Sequence, residues 1–211
     1  MARNLIGNVY PTDEYLLSRC APAGYGLGES IGRVCDANEI SKNGFYVCDT
    51  NMPDNYWWFG THTQYSEDYA YQEFCCCNTV DQRVCRYKFA GIWQPWEWII
   101  YPLYAGAEYR TTEKYRGEPV YIKLVDCSGM PSPNSTKTVE HGIAGIRQIV
   151  DFSGTMLQDH SNAISLPYRY SNENYAHLSV DYNKIQLESG ATNLAAYTSV
   201  HVWIKYTKAA T

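Results

Sequence analysis

Between residues 54 and 73 the chain sets aromatic rings beside polar groups at short intervals. Asp54, Asn55, Trp57, Trp58 and His62 fall in the stretch NMPDNYWWFGTH, and Tyr65, Tyr69 and Tyr71 follow in TQYSEDYAY. Sugar rings offer C–H faces that stack on aromatic rings and hydroxyls that bond to carboxylates and amides, so this mixture suits carbohydrate binding. The competing reading is packing. Adjacent tryptophans in an extended chain point to opposite sides, which sends one of Trp57 and Trp58 into the core. Glu67, Asp68 and Glu73 offer carboxylates for glycosidic cleavage, but nothing in their spacing fixes the separation that such a pair needs. No Ser-His-Asp or Cys-His nucleophile arrangement is visible, so the expectation is binding without catalysis.

Other residue sets with chemical potential are weaker. His141 and His201 could meet at a three-fold axis and hold a metal, but a strand histidine is more often hydrogen-bonded in place. The glycines of AGYGLGE superficially match a phosphate cradle, yet no helical run follows them, so they read as a turn. The cysteines stand at 20, 35, 48, 75, 76, 77, 85 and 127. No pair has C-x-x-C spacing, and three in a row cannot share one side of a strand. Free thiols are the leading reading, with a disulfide or a metal left open. No metal and no cofactor is expected.

Composition narrows the classes. Charged residues make up 18% and the net charge is −5, too acidic for a general binder of phosphate backbones. The 20 tyrosines against 5 phenylalanines suit half-exposed surfaces and interfaces. The N-terminal stretch MARNLIGNVYPTDEYLL lacks the apolar core of a signal peptide. The most apolar run, Trp98 to Ala107, contains a proline and is too short to span a bilayer. The expectation is therefore a soluble chain without an export signal, inserted in no membrane.

The elements that must hold these residues read as short strands. Asn43-Gly44 is a turn leading into a strand that ends at Cys48. Residues 51–60 read as a loop, and Asp81-Gln82 as a turn. Arg83–Phe89 is a strand that turns at Ala90-Gly91. A proline joint at Tyr101-Pro102 separates two regions of different composition. Glu108–Tyr115 opens the second region, with a turn at Arg116-Gly117. Val120, Ile122 and Leu124 alternate with Tyr121 and Lys123. Ser128–Lys137 reads as a loop, Ile149–Gly154 as a strand, and Ile164–Tyr168 as a proline-limited edge. A hairpin surrounds Asn183. In the last strand Val200, Val202, Ile204 and Tyr206 alternate with His201, Trp203 and Lys205. Many short strands at this spacing argue for an all-β chain with a β-sandwich.

Several of these segments also form a recognisable order. GIWQPWEW at 91–98, EYRTTEKYRGEPVYIKLV at 108–125, His141-Gly142-Ile143 and VWIKYTK at 202–208 together resemble the C-terminal end of tail fibre or receptor-binding proteins from phages of Gram-positive bacteria. Ala2–Gly7 is similar to the A-R-x-N-L-G ending of a repeat common in phage tail fibres. The first region resembles a pyocin-knob domain, in which a segment like Gln72–Phe89 precedes a W-x-x-W element, here Trp93 to Trp96. The resemblance implies that Trp93, Trp96 and Trp98 pack their own domain. It divides the chain into a connector to the fibre shaft at 1–20, a knob-like β domain at 21–104 and an antiparallel β-sandwich head at 105–211. It further implies a homotrimer at a virion tail tip, joined upstream to a fibre shaft or baseplate and made in the host cytoplasm. There it would attach to a host cell-surface polysaccharide or teichoic-acid-like glycan through multivalent, non-catalytic contacts, with no nucleic-acid partner. The alternatives are a trimer-capping end without a receptor site and, third, a cell-wall glycan hydrolase. The triple cysteine is no part of the family pattern.

Overall fold

The computed structural model describes residues 35–79, 82–158 and 162–209. The expected connector at 1–20, the glycine-rich turn after it and Asp81 of the expected Asp81-Gln82 turn lie outside the described residues. Every regular element among the described residues is a strand, so the chain is all-β. It divides into two compact units, Met1–Tyr101 and Pro102–Thr211.

The first unit holds β1 (Cys35–Asp36), β2 (Gly44–Thr50), β3 (Trp58–Ser66), β4 (Tyr69–Cys76), β5 (Arg83–Phe89), β6 (Ile92–Trp93) and β7 (Glu97–Ile100). They pair in the order β1-β2-β3-β4-β5-β7, with β6 folded back on β5. The β5–β6 hairpin turns at Ala90 and Gly91, with φ of 49° and 80°. Two consecutive positive φ values are what a two-residue hairpin turn requires for its twist to match the strands. One face of this sheet is packed. Cys48, Trp58, Phe74, Cys76 and Val84 project into it, and Ala37 and Ile40 cover them. Trp98 meets Trp58 edge-on at 6.0 Å, and Trp96 meets Phe74 likewise at 6.0 Å. Gly60, on the same face opposite Phe74, leaves no room for a side chain: a Cβ there would sit 2.0 Å from the Glu73 carbonyl oxygen.

Cys35 and Cys48 form a disulfide with a Cα separation of 4.5 Å. This corrects the free-thiol reading for that pair. β1 lies parallel to β2 and brings residue 35 opposite residue 48, a long-range register that spacing alone does not reveal. Among the described residues, Cys75, Cys76, Cys77, Cys85 and Cys127 are in no disulfide.

The second unit is a sandwich. Its strands are β8 (Glu108–Tyr115), β9 (Glu118–Asp126), β10 (Ser135–Glu140), β11 (Ile146–Leu157), β12 (Ala163–Leu166), β13 (Tyr168–Arg169), β14 (Tyr175–Val180), β15 (Lys184–Ser189) and β16 (Ser199–Lys208). One sheet runs β8-β9-β16-β11-β12 and the other β10-β15-β14-β13. Val200, Val202, Ile204 and Tyr206 from the first face Leu178, Ile185 and Leu187 from the second in one core. At Gly154 the sheets come so close that a Cβ would lie 2.8 Å from Leu178 Cδ2. The chain passes from the edge of one sheet to the edge of the other at Pro167, between β12 and β13.

Two sequence expectations need correction here. The stretch 51–60 is not wholly loop, because β3 begins at Trp58 and residues 58–60 pair with β2 and β4. Consecutive rings at 57–59 put aromatic groups on both sides and so hide the alternation of a strand. The polar run Ser128–Lys137 is not wholly loop, because β10 begins at Ser135 and pairs with β15 through Ser135–Ser189 and Lys137–Leu187. Its half-exposed alternation carries too few apolar residues to stand out from a loop by composition.

Candidate functional site

The predicted aromatic residues divide by burial. Trp57 is 55% exposed and Trp58 is 0% exposed. Trp58 Nε1 donates to Asp54 Oδ1 at 2.9 Å, and Asp54 Oδ1 also accepts the Tyr56 amide at 3.1 Å. Asp54 is thus a structural acceptor for the 54–58 turn, and burial removes Trp58 from any contact surface. Asn55 is exposed beside it.

His62 is also buried, on the packed face, where it belongs to a directional chain of hydrogen bonds. Arg86 Nε donates to Gln72 Oε1 at 2.8 Å. The Gln72 amide donates to the Ala37 carbonyl at 2.7 Å and to His62 Nδ1 at 3.0 Å. His62 Nε2 then carries the proton and donates to Gln64 Oε1 at 3.1 Å. Burial is the chief cause that lowers the His62 pKa below its ordinary value of 6.5, with Lys88 and Arg86 adding to it and Gln64 opposing. An unfolded chain takes up this proton before the folded one does. Stability from His62 is therefore complete above pH 6.5 and falls as the pH drops below it. Thermal unfolding followed by tryptophan fluorescence should show a steeper loss between pH 7 and 5 in the native chain than in His62→Gln; equal slopes would refute this.

Arg86, 5% exposed, ends the same chain. Its guanidinium lies between the indoles of Trp93 and Trp96, 4.3 and 4.1 Å from the ring centroids. Burial pulls its pKa down to about 10, with Asp36 acting the other way, so it stays charged at neutral pH. The W-x-x-W element is thus a clamp on a buried cation.

The opposite face of the same sheet is the candidate surface. Tyr71 of β4 pairs with Tyr87 of β5, and Phe89 pairs with Ile92 of β6. The Tyr69 and Phe89 rings meet edge-on at 5.6 Å. Tyr69, Tyr71, Tyr87, Phe89 and Ile92 are all exposed on this face, and Tyr65, 92% exposed, stands at the β3–β4 turn beside them. Phe45 and Phe59 continue the exposed aromatic set on β2 and β3. Polar groups accompany the rings. The Tyr71 hydroxyl donates to Glu73 Oε2 at 3.1 Å, and Glu73 also pairs with Arg83. Burial, foremost, and then Cys85 and Glu73 raise the Tyr71 pKa, so the hydroxyl remains a donor. The Gly91 amide bonds the Asp68 carbonyl at 3.1 Å, tying the two hairpin ends together.

The structure therefore gathers Tyr65, Tyr69 and Tyr71 and sets Trp58 and His62 on the other side of the sheet. Tyr87, Phe89 and Ile92 were missed. Alternation along Arg83–Phe89 separates Tyr87 and Phe89 from Arg86 and Lys88 but does not tell which side is covered, so no local signal marked these rings as exposed. His141, considered for a metal, has both ring nitrogens engaged: Nδ1 accepts the Ile143 amide at 3.1 Å and Nε2 reaches the Asp181 carbonyl at 3.2 Å. His201 Nε2 pairs with Ser199 Oγ at 3.1 Å. Among the described residues no helix is long and apolar enough to cross a membrane.

No family model and no curated protein matches the chain. Among solved structures it is similar to a C-terminal fragment of the P. aeruginosa R1 pyocin fiber, at 12% identity and a TM-score of 0.30 over 87% of this chain and 69% of that one. It is also similar to an N-truncated R2-type pyocin tail fiber, at 9% identity and a TM-score of 0.28 over 83% of this chain and 95% of that one.

Proposed function

We propose that this chain is a receptor-binding part of a tail fibre, attaching a phage or pyocin-like particle to a bacterial cell-surface glycan without chemistry. The observation that carries the reading is the row of outward rings Tyr69, Tyr71, Tyr87 and Phe89 on a paired sheet, with the Glu73 and Asp68 carboxylates at its margin. Rings held by strand pairing lose little freedom when a sugar stacks on them, and neighbouring carboxylates accept hydroxyl donors. A single such contact is weak, and three copies engaging one cell surface raise the avidity steeply. Homotrimer formation and placement at a virion tail tip belong to this reading.

Labelled protein binding to whole bacteria, together with a panel of cell-wall and capsule fractions, tests it. Tyr69→Ala with Phe89→Ala should lower binding at least tenfold, the equivalent of about 1.4 kcal/mol. Cell binding equal to that of the native chain, in a variant also lacking the Trp57 ring, overturns the assignment. A second reading is favoured by the same exposed rings: the face is covered by another copy of the chain. In that case the double variant loses oligomeric mass in sedimentation and keeps its binding per subunit.

A further inference from the structure

The second unit carries a hollow of about 430 Å³ on the outer face of its four-stranded sheet. That volume is within the range of small-molecule sites. Strand register sets its floor. Arg169 of β13 pairs with Tyr175 of β14, and His177 of β14 pairs with Glu188 of β15. Paired residues and residues two apart share a side, so these four side chains lie on one face. The other face carries Ala176, Leu178 and Leu187 into the core. The rim is held in place. Arg169 Nη2 donates to Asn172 Oδ1 at 2.5 Å, and the Tyr175 hydroxyl donates to Glu188 Oε1 at 2.7 Å. The turn bearing Asn172 is closed by the Tyr170 amide on the Asn174 carbonyl at 2.9 Å and by Thr192 on Asn174 Oδ1 at 2.6 Å.

The charges sit at opposite ends. Arg169 and Glu188 flank β14 on either side, two strand spacings or roughly 10 Å apart. A guanidinium has five donors in a flat fork that matches a carboxylate or phosphate, and one of its nitrogens is held by Asn172. Glu188, with Oε1 occupied by Tyr175, presents Oε2 as an acceptor. A cation at one end, a hydroxyl acceptor at the other and the Tyr175 ring between them describe one kind of guest. We propose that this hollow binds a sugar residue bearing an anionic substituent, carboxylate or phosphate, with the anion on Arg169 and a ring hydroxyl on Glu188. The distance between the ends is about a Debye length at physiological salt, so Glu188 orients the guest without expelling it.

The site lies in a different unit from the aromatic face, so the two proposals can fail separately. The test is a titration of the full chain, followed by NMR shifts of the His177 ring and by calorimetry, with D-glucuronate, D-glucose 6-phosphate and D-glucose. One or both anionic sugars should bind at least about tenfold more tightly than glucose, as expected for charge-assisted hydrogen bonds, and which of them binds names the anion. Arg169→Gln should erase the preference, and Glu188→Gln should weaken every sugar. Asn172→Ala, which only releases the guanidinium, should reduce the preference in a chain whose fold is untouched. The Tyr69→Ala, Phe89→Ala variant should titrate like the native protein. Equal binding of glucose and the anionic sugars, no binding of any, or native preference in Arg169→Gln overturns the proposal.

Discussion

Replacing Arg86 by alanine will unfold the first unit at temperatures where the native chain is folded. The substitution empties a slot between two indoles that lie 4.3 and 4.1 Å from the guanidinium. It also leaves Gln72 Oε1, buried and bonded to Arg86 Nε at 2.8 Å, without its donor. A vacated core position costs about 2–5 kcal/mol, and a stranded buried acceptor adds about 1–3 kcal/mol. One contribution runs the other way. Arg86 Nη2 is buried with no hydrogen-bond partner among the described residues, so removing it relieves a penalty. The net expectation is a loss of about 4 kcal/mol, a large part of the stability of any small unit. Arg86→Met separates the contributions, since its thioether chain refills the slot and deletes the unsatisfied group. It should cost less than alanine, and Arg86→Lys, which loses the flat stack, should fall between them. Tryptophan fluorescence during urea unfolding reads this directly, because five of the six tryptophans belong to the first unit. A native midpoint in Arg86→Ala would show that the clamp is incidental.

Gly60→Ala should prevent the first unit from forming its sheet. The added carbon would meet the Glu73 carbonyl oxygen at 2.0 Å and the Phe74 Cα at 2.6 Å. Both are backbone atoms of the paired strand β4, so relief requires breaking the β3–β4 ladder rather than turning a side chain. The cost is at least about 3 kcal/mol, the upper end of overpacking effects. Gly91→Ala is the control. Gly91 has φ +80° and its nearest contact is the flexible Asp68 Oδ1 at 3.1 Å, so backbone strain of about 1–2 kcal/mol is the main charge against it. If both variants unfold at the same urea concentration, close contact at Gly60 is not the cause.

Much of the second unit was legible because its strands follow one rule. Val120, Ile122 and Leu124 alternate with Tyr121 and Lys123, and Val200 to Tyr206 alternate with His201 to Lys205. The Val200–Tyr206 set faces the sandwich core. Val120, Ile122 and Leu124 are buried on the other side of that sheet, because Tyr121 and Val125 are the β9 residues that pair with Tyr206 and Val202. In β10 polarity hides the strand altogether. Period-two patterning is local, so it survives without knowledge of the partner strands. The turn at Arg116-Gly117 was equally local, and both residues adopt positive φ, 52° and 82°.

The first unit breaks that rule at the strand that matters. In Arg83–Phe89 the local pattern puts Tyr87 and Phe89 on the apolar side and Arg86 and Lys88 on the wet side. The sheet does the reverse: Arg86 is buried, and Tyr87 and Phe89 are exposed. What permits the inversion is a pair of indoles and a glutamine from other segments, which together replace the water around a guanidinium. None of that is local. The same holds for Cys35 and Cys48, joined through the parallel pairing of β1 with β2.

By itself the sequence determined the all-β class, the alternation within the regular strands and the turns at Ala90-Gly91 and Arg116-Gly117, because φ preference and side-chain alternation are properties of neighbouring residues. It also marked Tyr65, Tyr69 and Tyr71 as candidates. Only the tertiary structure decided that Trp58 and His62 face inward, that Tyr87, Phe89 and Ile92 complete the aromatic face, and that Arg169 and Glu188 flank one hollow. Those outcomes depend on which strands become neighbours and what each side is covered by, and strand neighbours are chosen by the whole chain.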